Sequence, residues 1–261
     1  MKVKEIVKIM NEIAPPETAL SFDHVGLMTG SVNNSVNGVM VCLDLDEAVL
    51  NEAIENNCNM IITHHPLIFN PVSDLTEDNV RGRLLCGIIR AGITVFSAHT
   101  NLDFADGGVN DALAAKLGLS DVVKADDGEH RFGLLQSDMS FKEFAVFANN
   151  ALGAEGIRCV IPENYDTEKK ICRVGVSCGS FDRETAWVYA NDIDVLVTGE
   201  VKHSDAIDLS MERFATLSCG HYPTEVWGAI ALYERLSERV CGKKNIRIMM
   251  SSAGVNPLKT V

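Results

Sequence analysis

Apolar positions along the chain repeat with two different periods, and the alternation between them lays out the elements. Val3, Ile6, Val7, Met10 and Ile13 recur at helical spacing, and Pro15-Pro16 stops that helix. The run GVMVCLD at 38–44 is short, continuous and rich in β-branched residues, which predicts a buried strand. Asp46 is placed to cap the helix that opens EAVLNEAIENN. A strand NMIITHH, a helix over 78–91, a strand ITVFSAH over 93–99 and a helix DALAAKLG over 111–118 follow. The stretch 122–131, VVKADDGEHR, is polar and reads as a candidate boundary.

Beyond it come a strand FGLLQ, a helix SFKEFAVFANNAL, the run IRCVI and a second polar stretch, PENYDTEKK. Three strand-to-helix repeats then run CRVGVSCGS to DRETAWVYA, IDVLVTGE to HSDAIDLSM, and FATLSCG to TEVWGAIALYERLSER. NIRIMMSS predicts a last strand. Strands alternating with helices indicate an α/β protein with largely parallel or mixed sheets. The expected organisation is two α/β lobes, one formed by 1–130 and completed by 218–261, the other by 131–217.

Composition narrows the classes. At 261 residues and 46% hydrophobic, the chain can bury a sizeable core without disulfides or structural metals. A formal net charge of −13 argues against nucleic-acid and anionic-membrane partners, which need a basic surface. Eight cysteines occur with no C-x-x-C spacing, so buried reduced thiols are expected rather than a zinc ribbon or a redox pair. The N-terminus lacks a signal-peptide core, and no apolar run approaches the roughly 18 residues of a membrane span. The expectation is a soluble, cytoplasmic protein.

Three predicted strand ends carry metal-type ligands, at the edge where α/β sheets gather their ligands. They are His64-His65 after MIIT, His99 with Asp103 after ITVF, and His221 with Glu225 after ATLS. Pro223 suits the first turn of a helix, which places His221 at its start and Glu225 one turn later on the same side. Adjacent side chains on a regular strand face opposite ways, but Pro66 lets the backbone turn. Two imidazoles splayed from one turn could then each take one ion of a pair, bridged by carboxylates, with the ions roughly 3.5–4 Å apart. The competing reading is a cluster of histidines satisfied by hydrogen bonds alone.

The motifs FDHVGLMTG, ITHHPLIF, SAHTNLD, VTGEVKH and GHYPTE stand in an order that resembles the NIF-three-like family, the GTP cyclohydrolase I type 2 homologues. The resemblance spans essentially the whole chain, in the form without a central inserted domain. It implies two α/β domains with a dinuclear metal centre in the cleft between them, assembled as toroidal homohexamers. Carried over by position, it implies His64, His65, Asp103, His221 and Glu225 as ligands, with Glu225 a bridge and His99 an extra ligand or a supporting group. His24 follows Asp23 where the family commonly has asparagine, a departure that touches no ligand.

Two divalent ions per subunit, of zinc, iron, manganese, cobalt or nickel, would suit such nitrogen and oxygen donors. A bound water would then lose its proton near neutral pH and attack carbon or phosphorus. The resemblance implies a small-molecule substrate, a nucleotide by the family's name, with hydroxide attacking C8 of guanine and formate leaving. His203, after the strand IDVLVTG, is a candidate proton shuttle or an exposed helix-start residue, and Glu200 a candidate acid or base or a solvated loop carboxylate. SCGSFD at 177–182 could cradle an anion but reads more simply as a βα turn. Two rivals to a hydrolase stay open: a non-catalytic metal or metabolite carrier, and an adaptor whose metals are structural.

Overall fold

The computed structural model describes residues 1–241 and 246–260. The chain divides into two compact units, Met1–Gly108 with Ala229–Val255, and Val109–Gly228 with Asn256–Val261. The units place 109–130 and 218–228 with the second sheet, where the sequence reading grouped them with the first.

In the first unit the buried runs become parallel strands. β2 (Gly38–Cys42), β3 (Met60–Thr63) and β4 (Thr94–Ser97) are buried at every position, as unbroken apolar runs covered on both faces should be. With β1 (Gly26–Thr29) and β11 (Arg247–Met250) they form a five-stranded sheet, ordered β1-β4-β3-β2-β11. Only β1 runs antiparallel. It is short and half exposed at the sheet edge, so its pattern is too weak to read from sequence. Asn245, which opens the predicted last strand, lies outside the described residues.

Helix α1 (Val3–Ile13) buries Val3, Ile6, Ile9, Met10 and Ile13, with Ile9 rather than Val7 completing the stripe. Helix α2 (Glu47–Glu55) starts as expected: the Asp46 side chain accepts from the Val49 amide at 2.8 Å. Helix α3 (Val80–Arg90) is capped by Asn79. Side chains of α2, α3 and the sheet, among them Leu50, Leu85, Ile88, Ile61 and Val95, share one core. Each fully buried aliphatic side chain there is worth roughly 1.5–3 kcal/mol against exposure.

The second unit holds a six-stranded mixed sheet, ordered β5-β6-β8-β9-β10-β7. Its strands are β5 (Leu119–Lys124), β6 (Arg131–Met139), β7 (Arg158–Val160), β8 (Ile171–Ser180), β9 (Val195–Glu200) and β10 (Ala215–Ser218). β8, β9 and β10 are parallel. The polar stretch 122–131 is a hairpin inside this sheet, since β5 and β6 pair antiparallel. Val122 and Val123 lie on the exposed edge strand, so neither carries the burial signal that would have marked it.

Helices α5 (Val109–Lys116) and α6 (Phe141–Leu152) contribute Leu113, Phe141 and Phe144 to the core on one face. Ser140 and Glu143 form a capping box at the start of α6, and Gly153 ends the helix at φ 66°. The other face carries Trp187, Val188, Leu209 and Phe214, from α7 (Ala186–Ala190), α8 (His203–Leu209) and the approach to β10. Helix α9 (His221–Val240) gives its first eight residues to this unit and the rest to the first.

All eight cysteines are free thiols. Only Cys42, Cys58 and Cys219 are buried; Cys159, Cys172 and Cys241 are exposed, which corrects the expectation of a mostly buried set. Cys172 stands between Ile171 and Arg173 at the start of β8, where the strand buries Ile171 and leaves Cys172 exposed. Among the described residues no helix is long and apolar enough to cross a membrane.

Candidate metal centre

Register brings the first group of ligands together. Cys42, Thr63 and Ser97 are in-line partners across β2, β3 and β4. The residues that follow them therefore leave the sheet side by side: Asp44 after β2, His64 and His65 after β3, His99 after β4. The ladder persists past the strand end, because the His64 and His65 amides donate to the Cys42 and Leu43 carbonyls at 3.1 and 3.0 Å. Beneath them the Thr63 and Ser97 hydroxyls share a hydrogen bond of 2.8 Å.

The three imidazoles form a cluster. His64 and His65 ring centroids stand 5.0 Å apart with planes at 46°, and His99 lies 5.2 Å from His64 and 5.6 Å from His65. One ring nitrogen from each of the three lies within 4.8 Å of the other two. Asp103 joins them from α4 (Thr100–Phe104), a five-residue helix that sequence periodicity could not resolve. Its Oδ1 is 3.7 Å from His64 Nε2.

What suits the cluster to hold a metal is the second nitrogen of each ring. His64 Nδ1 bonds the Ala98 carbonyl at 2.9 Å, and a carbonyl can only accept, so Nδ1 carries the proton. His65 Nδ1 faces Asp44 at 2.7 Å and His99 Nδ1 faces Asp23 at 3.0 Å. Oxygen acceptors on Nδ1 fix the tautomer and orientation that present Nε2 as a donor to a metal. Asp23 also accepts from the Thr100 amide and hydroxyl. Burial pushes its carboxyl up, but the bonds from His99 and Thr100 outweigh it and hold the group well below the usual range.

In the second unit the ligands come from one helical turn. His221 opens α9, and its Nε2 lies 3.0 Å from Glu225 Oε2, the i,i+4 pairing the sequence predicts. His221 Nδ1 bonds Glu200 Oε2 at 3.1 Å, the same arrangement seen in the first unit. A neutral imidazole so oriented turns its Nε2 lone pair onto a carboxylate, and only a proton or a cation there makes the contact favourable. Glu225 is 4% exposed. Space for it is made by Gly179, at φ +62°, where an added Cβ would sit 2.3 Å from Glu225 Oε1.

The remaining predicted residues fall as follows. Glu200 holds His221 and accepts from Ser180 Oγ at 3.4 Å, so it orients a candidate ligand. His203 is exposed at the start of α8 and belongs to none of the His/carboxylate groups found among the described residues. Three amides of SCGSFD are taken, Cys178 donating to Asn110, Gly179 to Thr224 and Phe181 to the Glu200 carbonyl, and the space beside Gly179 holds a carboxylate, which favours the plain turn over an anion cradle. Asp44 and the orienting role of Asp23 escaped the sequence reading, although an acid two residues past a parallel strand end was a usable signal. The buried Cys219 thiol, pushed up to about 12 by burial, is no thiolate donor beside His221.

A cleft of about 590 Å³ adjoins the first group, bounded by Pro16, Leu20, Asp23, His24, Leu27 and Ile68. The exposed Phe22 stands edge-on to Phe69 at 6.4 Å, and Phe69 meets His99 at 6.1 Å.

Fold and side chains together define a two-unit α/β protein whose strand ends carry histidine–carboxylate groups able to hold metal ions. The chain belongs to the Duf34/NIF3 (NGG1p interacting factor 3) family, whose model matches residues 1–257. A Clostridium acetobutylicum relative named GTP cyclohydrolase 1 type 2 homolog is 32% identical, over 99% of this chain and 98% of its own length. A Clostridium perfringens protein of the same name is 30% identical over all of both chains. A solved Bacillus cereus protein related to NIF3 shares the fold at a TM-score of 0.91 and 23% identity, covering 100% of this chain and 99% of its own.

Proposed function

We propose that this protein is a metal-dependent hydrolase holding two divalent ions on His64, His65, Asp103, His221 and Glu225, with a nucleotide or related phosphorylated small molecule as substrate. The observation that carries the reading is the treatment of Nδ1: in His64, His65 and His99 of the first unit and in His221 of the second it is bonded to a carbonyl or carboxylate oxygen, which leaves Nε2 to ligate. The relatives' shared name, GTP cyclohydrolase 1 type 2 homolog, supports a nucleotide substrate. When bound, such ions supply Lewis acidity and lower the pKa of a water to near neutrality.

The chain's own groups do the rest. Asp44, Asp23 and Glu200 hold the imidazole planes and tautomers, so the donors are placed before any ion arrives. The cleft beside Asp23 is of the size that encloses a small molecule, and Leu20, Leu27, Met28 and Ile68 give it an apolar lining. Opening of a guanine ring is the finest form of this reading, and homohexameric assembly belongs to it by family resemblance.

Stripping metal with a chelator is expected to abolish turnover on a nucleotide panel, and adding back the ion identified by elemental analysis to restore it. Full turnover in verified metal-free protein would refute the reading. A second reading, a non-catalytic metal carrier, is favoured by one observation: Glu200 is engaged with His221 and His203 is exposed outside the cluster, so neither is poised as an acid or base. Rapidly exchanging metal with no hydrolysis across the panel would select it.

A further inference from the structure

A buried histidine of the second unit stands outside this reading. His130 closes the β5–β6 hairpin and is 2% exposed. Its ring is fixed in every direction. Nδ1 bonds Asp127 Oδ2 at 2.9 Å, and the ring lies flat on Trp187, with centroids 4.5 Å apart and planes 8° from parallel. Nε2 looks toward Ser177 Oγ at 3.1 Å and Asp182 Oδ2 at 3.5 Å. One oxygen each from Glu129 and Asp182 and one nitrogen of His130 lie within 4.8 Å of one another.

Charge balance is the second consideration. Three carboxylates, Asp127, Glu129 and Asp182, surround one imidazole. The neighbouring cation, Arg131, is directed at Asp111 and at the carbonyls of Gly128, Glu129 and His130. Even a protonated His130 leaves the group short of positive charge. Burial pushes the Glu129 carboxyl up, and Asp182 and Asp127 push the same way against His130 and Arg131. Burial likewise opposes ionisation of Asp127, yet its bonds from His130 and the Glu129 amide hold it at about 2, so it remains a charged acceptor on Nδ1.

We propose that Glu129, His130 and Asp182 form a separate binding site in the second unit for a single divalent first-row metal ion. One imidazole nitrogen and two carboxylate oxygens suit zinc, manganese, cobalt or nickel. Asp127 orients the imidazole from behind, the relation that Asp44 and Asp23 have to His65 and His99. Binding needs Nε2 without a proton, so it releases one to solvent from the protonated ring and none from the neutral ring, and it leaves the Ser177 hydroxyl to bond an Asp182 oxygen or a water on the ion. The proposal does not depend on the two-ion reading.

Trp187 reports on this site directly. The chain has two tryptophans, so Trp227→Phe leaves Trp187 as the sole indole emitter. Titration of that full-length chain with Ni²⁺ or Co²⁺ is expected to quench most of the emission, because the ion on Nε2 sits against the ring stacked on the indole. Asp182→Asn and Glu129→Gln, both at partly exposed side chains, are each expected to raise the midpoint by roughly tenfold or more, as loss of a charged donor should. His130→Gln is expected to abolish the quench, and His65→Ala to leave it unchanged. Absence of quenching at millimolar Ni²⁺ in folded protein overturns the proposal and makes the group a proton-sharing network. So does a quench that survives Asp182→Asn and Glu129→Gln or vanishes with His65→Ala. If His130→Gln does not fold, the two carboxylate variants decide alone.

Discussion

The two candidate ligand groups present their donors by opposite means. In the first unit, donors arrive from the ends of adjacent parallel strands, and their spacing is a property of the sheet: Cys42, Thr63 and Ser97 share a rank, so Asp44, His65 and His99 do too. In the second, two donors ride on one helical turn, and a glycine hole beneath them sets where the carboxylate lies. The first group is anchored in the core, with His64 0% exposed, whereas the His221 side chain is 32% exposed. A sheet-built group tolerates little change without loss of fold; a helix-built group can lose its ligands while the fold stands.

Substitutions test that contrast. His64→Ala should have the largest effect, costing about 2–4 kcal/mol through the cavity and the orphaned Ala98 carbonyl, and removing metal from the first group. Urea unfolding with elemental analysis measures both; a stability loss within error would show that the sheet edge does not depend on this ring. Gly179→Ala comes next, at about 1–3 kcal/mol, because φ +62° strains any side chain and the new Cβ meets Glu225. It should release metal from the second group and spare the first, and equal loss from both would show that the two groups do not act separately.

Asp44→Asn should leave folding unchanged and weaken metal binding by roughly 10–100-fold, since it loosens His65 without removing a donor. Calorimetric titration with Zn²⁺ checks it, and wild-type affinity would mean that Asp44 is a bystander.

The smallest effect concerns two carboxylates that tie backbone amides, one in each unit. Glu52 accepts from the Ser252 and Ala253 amides and from both serine hydroxyls after β11, and despite some burial its carboxyl falls from 4.5 to about 2. Asp194 accepts from the Cys172 and Arg173 amides and from Lys169, and is lowered likewise against burial. A folded value below the unfolded one gives stability that is full above pH 4.5 and is lost as pH falls through about 2. The stability gap between wild type and Glu52→Gln should therefore close across that window. A gap constant from pH 6 to pH 2 would assign the effect to packing.

Legibility in the sequence followed burial. The runs 38–44 and 59–65 announced their strands because both faces are covered, and the His221–Glu225 spacing survived because a helix turn is local. β1, β5 and α4 did not announce themselves: the first two are exposed edge strands, and the third is shorter than two turns. Asp103 was found through its neighbour His99 rather than through its helix. Asp44 and Gly179 were missed as parts of the centre because their roles, a partner for Nδ1 and a place without a Cβ, exist only once β2–β3 and β8–α9 are brought together. His130 was lost in a stretch read as a boundary, where a hairpin in fact holds it.

The paired histidines also make the sheet edge a vernier. His64 and His65 carry the same chemistry one residue apart, so only the alignment of β3 against β2 and β4 decides which imidazole goes deep and which meets Asp44. A one-residue slip of that strand would set one imidazole at the other's station and turn Ile61 and Ile62 to the wrong faces of the sheet. The apolar side chains that fasten the strand are thus also the gauge that sets the donor positions, and the spacing of the imidazoles inherits its tolerances from hydrophobic packing.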